Sequence, residues 1–433
     1  MAAAPGPAPT AARPAPTTAA PPAGTVGTSA PATDLALTPP PRTPSTPRLM
    51  LGLLTLCVAV VVLFTTVAVG SLVSARSELS GATHSVEELI RVNEIRTELF
   101  RADSAATHAY LNGADSSDSD AADALGNARV LLVDAARAEP RDQDALEEVN
   151  RGLDAYVATL ERARMAQGTL LGVSALAEAG DLLRTKVLPP LAALSTDNSA
   201  RVVTQTGGFP GYLLVATGVL AVAALLTLWV AAAIRFRRVV NPGVFGALLL
   251  VVGSFVVSGT VLLQTDGAVR DTARHSIPVL RATSEARAHG YDAHARAALS
   301  VLAQTPAPSA QQPWDTAAAE TRQNLDRPVV RDHAPQLTTL WSAYEKAHAQ
   351  VREDALAGRW EAAAAAVAAG NQAFSGFDEA AATVTTDTAQ TVRHELQQPR
   401  NGLLLGSIAS ALAGLGAIAA AVAGLRPRLR EYR

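Results

Sequence analysis

His289, Asp292 and His294 stand within six residues of one another, two imidazoles and a carboxylate of the kinds that ligate metals. Helical residues advance about 100° each, so positions five apart end about 140° apart around the axis. The two imidazoles then do not share a face, and no metal site is expected there. Glu94 with Arg96, and a second such pair at Glu285 and Arg287, could grip a ligand or a partner. Their ordinary reading is a solvated pair on a helix surface. Two arginine clusters, Arg235, Arg237 and Arg238, then Arg426, Arg428 and Arg430, could hold an acidic partner or anionic headgroups, or could serve only to orient the chain. Gly406, Ser410 and Gly414 have the four-residue spacing of a helix-packing face. There is no glycine-rich phosphate loop, kinase or cyclase segment, or zinc-spaced Cys/His cluster. No cofactor and no enzymatic activity are expected.

The elements that carry these residues are read from hydropathy. Of 433 residues, 48% are hydrophobic, and they cluster. Leu49–Val73, Tyr212–Ile234, Val244–Leu263 and Gly402–Leu425 contain no charged residue. Each is about the length needed to cross a hydrocarbon core as a helix. The expected spans are 49–75, 210–234, 243–264 and 402–425. The first could be mistaken for a cleaved signal, but it is too long for one and follows a long tail, so an uncleaved anchor is expected. The spans carry no charge at mid-membrane, which argues against transport. The lone cysteine, Cys57, falls inside the first span.

Residues 1–48, 235–242 and 426–433 hold ten basic residues against two acids; the remainder holds 26 basic and 37 acidic. The positive-inside rule therefore places both termini and the 235–242 turn in the cytosol, with 76–208 and 265–400 outside the cell membrane. The tail at 1–48 is Ala, Pro and Thr with few large apolar residues, and is expected to be disordered. The acidic balance of the outer segments disfavours nucleic acid.

The outer segments read as amphipathic helices. Val86, Leu89, Val92, Ile95, Leu99, Ala102 and Ala106 recur at steps of three and four, as do Leu146, Val149, Leu153, Tyr156 and Leu160. Gly113, Pro140 with Asp142, and Gly168 mark helix ends and starts, and Pro189-Pro190 should kink or interrupt the last helix. The fold expected is all-α: four transmembrane helices and two extracytoplasmic four-helix bundles. Asn93–Arg96 aligns with Ser284–Arg287, Gly168 and Gly180 with Gly358 and Gly370, and Leu194–Val202 with Val384–Val392. The near-constant offset of about 190 residues predicts a parallel tandem repeat.

The span–bundle–span unit resembles the sensor modules of bacterial chemoreceptors and sensor kinases, except that a short turn into a third span follows where an output domain would. The tandem form resembles the actinobacterial GlnX-type membrane proteins. Leu99–Gly113 is similar to that family's first outer helix, Ala-Asp-Ala-x-Ala followed by an aromatic, Leu and Gly. The resemblance implies a sensor whose outer domains read an amino-acid-binding lipoprotein and signal to a cytosolic Ser/Thr kinase. The residues alone are also compatible with an envelope scaffold, or with an accessory subunit of a membrane complex, and a homo-oligomer stays open.

Overall fold

The computed structural model describes residues 46–113, 115–205, 211–236 and 242–430. They form α1 (Thr46–Asn112), α2 (Asp115–Ala138), α3 (Gln143–Met165), α4 (Leu170–Leu182), α5 (Leu188–Gln205), α6 (Gly211–Phe236), α7 (Pro242–Asp271), α8 (Ile277–Leu302), α9 (Pro308–Leu325), α10 (Pro328–His333), α11 (Gln336–Leu356) and α12 (Trp360–Arg430). No strand occurs among the described residues. The expected disordered tail over 1–48 lies outside them, save its last three residues, which open α1.

Four stretches are long and apolar enough to cross a bilayer: within Leu51–Asn112, Gly211–Ile234, within Pro242–Leu302 and within Trp360–Gly424. α1 has 67 residues and α12 has 71. A span consumes about 20 residues of each, so roughly 60 Å or more of unbroken helix extends beyond the apolar part. The spans pack through Cys57, Val61 and Phe64 of α1, Leu225 and Leu228 of α6, Ala247 and Val251 of α7, and Ala417 of α12. At the junction, Leu72, Leu79 and Val86 of α1 meet Val269, Ile277, Val392 and Leu403.

Local sequence explains the breaks. Gly113, Gly168 and Gly358 adopt φ of 62°, 77° and 70°, the left-handed conformation that ends a helix and that glycine takes without strain. Thr169 caps α4 by accepting the Gly172 N–H at 3.2 Å. Pro308 and Pro328 sit in the first turns of α9 and α10, where a missing N–H costs nothing.

Pro189-Pro190 does not interrupt its helix. A five-residue π-helical turn, Leu183–Val187, joins α4 to α5 just ahead of it. The wider turn displaces the carbonyl that a proline ring would strike four residues back and absorbs the missing donor. A second π turn, Thr272–Ser276, joins α7 to α8 and stands in the same relation to Pro278.

The distal core is shared. Buried residues of 92–194 and of 282–381 form one contiguous apolar cluster, with Tyr156 and Trp341 among the largest fully buried side chains. The small faces of α1 and α8, including Ala102, Ala106, Ala293 and Ala297, bring the two segments into this one cluster.

Candidate functional site

The small faces of α1 and α8 bring their polar residues together at the centre of the distal region. Arg96 Nη2 lies 3.1 Å from His289 Nε2. Further along, the His108 and His294 rings stack with centroids 4.0 Å apart, and His108 Nε2 is 3.2 Å from the His294 carbonyl oxygen. The pairs follow the same order on both helices, so α1 and α8 run parallel.

The π turn aims Arg184 into this seam. Its Nη2 donates to Asp103 Oδ2 at 3.0 Å, and its Nε donates to Asp292 Oδ1 at 2.9 Å. Asp292 also accepts from Arg296 Nε at 3.2 Å, and Tyr156 Oη lies 3.5 Å from Asp103 Oδ1. The side chains of Arg184, Asp103 and Asp292 are 16%, 4% and 10% exposed, so these are buried ion pairs joining α1, the α4–α5 helix and α8. Burial opposes the charge on Arg184, but Asp103 and Asp292 outweigh it and hold its pKa above the usual value. For Asp292, burial pushes upward, yet two arginines hold the carboxyl below its usual range. Full burial pushes Asp103 up, against the pull of Arg184.

Beyond this cluster lies an aromatic layer. His294 stacks on Phe374 at 4.0 Å and its Nδ1 is 3.1 Å from Tyr344 Oη. His348 stacks on Trp314 at 3.8 Å. Burial drives His108 down to about 4 and His348 to about 3, so both are neutral at neutral pH.

Beside the ion pairs opens a cleft of about 480 Å³. α1 and α8 contribute Arg96 and His289, while Leu188 and Pro189 of α5 and Pro313 and Glu320 of α9 supply opposing walls. His289 Nδ1 lies 2.8 Å from Glu320 Oε2. A smaller cavity of about 200 Å³ lies among α1, α8 and α12.

The structure does not gather Glu94, Arg96, Glu285 and Arg287 into one site. Glu94 and Arg287 line the smaller cavity, whereas Arg96 lines the cleft. Arg287 donates to Asp378 on α12, Nε to Oδ1 at 2.6 Å, rather than to Glu285. Glu285 accepts from Arg281 Nε at 2.8 Å and lies 3.6 Å from Arg327 Nη2. His289, Asp292 and His294 go three separate ways, to Arg96 and Glu320, to the arginines, and to the aromatic layer. No group of three or more His, Cys, Asp or Glu that could hold a metal occurs among the described residues.

In the spans, Ser410 Oγ is 2.8 Å from Ser258 Oγ, Gly406 faces Leu72 and Val261, and Gly414 faces Thr65. Arg426 is exposed on α12. Arg428, Arg430 and Arg235 lie in helices with side chains outside the described set, and Arg237 and Arg238 lie outside the described residues.

Asp103, His108 and Arg184 were missed from sequence. The only local signal was a charge on an otherwise apolar, Ala-rich helix face at Asp103. Arg184, which gathers the cluster, stands 81 residues from Asp103 and 108 from Asp292.

No curated protein and no solved structure matches the chain. Residues 78–207, which supply Arg96, Asp103, His108 and Arg184, match the model of the family described as actinobacterial sensor domain, and with four membrane-capable helices this match supports an actinobacterial membrane sensor.

Proposed function

We propose that the chain is a non-enzymatic transmembrane sensor that relays an extracytoplasmic signal to a cytosolic partner. The observation that carries this reading is continuity: α1 and α12 each run from an apolar span into the distal core without a break. A shift or rotation at the distal seam is then a shift of the spans, because a packed helix moves as a unit. The arginine distribution supports an orientation with both termini inside and the two helical segments outside. The resemblance extends the reading to an amino-acid-binding lipoprotein as the outer partner and a Ser/Thr kinase as the inner one.

Two measurements test it. In a Cys57→Ser background, cysteines at Ser174 and Ser309 should react with a membrane-impermeant thiol reagent in intact cells, and a cysteine at Ser45 only after lysis. Arg428→Gln with Arg430→Gln should preserve insertion and reduce recovery of a cytosolic partner from membranes, in a salt-sensitive manner. The reverse labelling pattern overturns the orientation. Unchanged partner recovery and signal response after removing residues 426–433, the arginine turn and the 1–48 tail together would overturn the relay in favour of an envelope scaffold.

A further inference from the structure

Arg96 and Arg287 hold corresponding places in the two aligned segments, yet their surroundings differ in one respect. Arg287 is bound by an internal carboxylate: Asp378 accepts from its Nε at 2.6 Å and from its Nη2 at 3.4 Å. Arg96 has no carboxylate within ion-pair distance among the described residues, and its Nε has no hydrogen-bond partner. The offset of 190 that aligns Gly180 with Gly370 aligns Asp378 with Leu188. Leu188 and Arg96 both line the 480 Å³ cleft. The first segment therefore has the arginine, a cavity, and an apolar residue at the position where the second segment carries the acid.

Arg96 is half-buried with its Nε shielded and unbonded, and desolvation outweighs the pull of Glu285 and Glu320, so a directly bound anion would be favoured there. Glu285 and Glu320 favour its charge, but only from beyond ion-pair distance, and the carboxylates of the cleft are engaged elsewhere. Asp292 is shared by Arg184 and Arg296, and Glu320 lies against His289. Arg184 is further occupied by Asp103. Phe100, Leu188, Pro189, Pro313 and Ala317 give the rest of the cleft an apolar lining.

We propose that the cleft binds a small organic carboxylate, whose carboxyl group takes at Arg96 the place that Asp378 holds at Arg287. The guanidinium fork fits a planar carboxylate with two parallel hydrogen bonds. The apolar walls receive a compact hydrocarbon body. Because those walls come from α5 of one segment and α9 of the other, the ligand bridges both segments beside the Arg184 cluster. This site deepens the sensor reading and rests on it for its purpose, but its test reads binding alone, so a failure here leaves the labelling and partner-recovery tests untouched.

The test uses the full chain in lipid nanodiscs, with thermal unfolding followed as butyrate is titrated against sodium sulfate of equal ionic strength. Butyrate should raise Tm saturably and sulfate should not. Arg96→Gln should weaken the apparent butyrate affinity by about tenfold or more, the loss of charge-assisted hydrogen bonds. Without butyrate its Tm should be unchanged or higher, since an unpaired buried charge is gone. Arg287→Gln should lower Tm and keep the butyrate response. The proposal is overturned by no saturable butyrate shift, by an equal shift with sulfate, by an unchanged response in Arg96→Gln, or by a lowered Tm of that variant without butyrate. Should Arg96→Gln not fold, Arg96→Lys, which keeps the charge and loses the fork, must show the weakened response for the proposal to stand.

Discussion

Arg184 and Asp103 meet at 3.0 Å although 81 residues separate them, and the meeting depends on the π turn that carries Arg184. The same guanidinium reaches Asp292 on the opposite segment. One side chain thus ties α1, the α4–α5 helix and α8 together inside a largely buried region. Such a buried pair adds less to stability than its Coulomb energy suggests, but breaking it strands charge.

Arg184→Gln should therefore destabilise the distal region by about 3–5 kcal/mol, leaving Asp103 buried without a cation and Asp292 with Arg296 alone. Asp103→Asn in that background should recover part of the loss. A double-mutant cycle by equilibrium unfolding in nanodiscs measures the coupling. Additive effects would place the two residues in independent environments, contrary to the geometry.

The buried histidines set a pH dependence. His108 is driven by burial to about 4 and His348 to about 3, against an ordinary value of 6.5. Burial outweighs the His294 carbonyl, which favours a proton on His108, and at His348 burial is joined by the nearby Arg352 charge, which opposes one. The unfolded chain binds these protons first, near pH 6.5, so their contribution is full above that value and is lost as pH falls toward 4 and then 3. Stability should decline between about pH 6.5 and pH 4, and His108→Leu should flatten that part of the profile. A profile in His108→Leu with the wild-type slope would assign the decline to other groups.

Much of this architecture was legible because spans and amphipathic helices are periodic in one dimension. The four charge-free stretches and the glycines at 113 and 168 read directly as spans and helix ends. What was not legible depends on three-dimensional registry. Pro189-Pro190 signalled a break, and the structure answers with a π turn, because the tertiary contacts of Leu183, Val187 and Leu191 are worth more than regular pairing at one turn. His289, Asp292 and His294 looked like a cluster by sequence proximity, while Asp292's real partner, Arg184, lies 108 residues away. Tyr156 was read as a core residue at an apolar position; it is fully buried and its hydroxyl also faces Asp103.

Packing in the spans offers a contrast between two neighbouring positions. A methyl at Gly414 would run into Thr65 Oγ1 of α1, so a larger side chain must push α1 and α12 apart. Ser410, one turn away, makes only a hydroxyl contact with Ser258. Gly414→Val should cost about 1–3 kcal/mol or more through overpacking, and Ser410→Ala about 0.6 kcal/mol. Equilibrium unfolding in mixed micelles orders the two, and a larger loss for Ser410→Ala would show that the hydroxyl pair, not the close approach, sets the helix packing here.

The second π turn is held by a single carboxylate. Thr272 Oγ1 donates to Glu395 Oε2 at 2.9 Å, and Ser276 Oγ donates to the same oxygen at 3.1 Å. Thr272 Oγ1 also lies 2.9 Å from the carbonyl oxygen of Ala268, so the clamp competes with an ordinary local bond. The turn sits where the apolar α7 becomes α8, and Glu395 sits on α12 on its way to the fourth span. On the proposed relay, motion of the shared seam on α8 would reach α7 along the chain through this turn. Glu395→Ala removes the shared acceptor of both cross-helix bonds while leaving every apolar contact of the junction in place. It should increase amide hydrogen exchange across 268–280, where a π turn already lacks regular pairing, and leave exchange at the Arg184 cluster unchanged, since local opening follows local contacts. Equal protection of 268–280 in the variant and the wild type would mean that Leu79, Val269, Ile277 and Val392 hold the junction by packing alone, and the carboxylate would then have no part in linking the distal region to the spans.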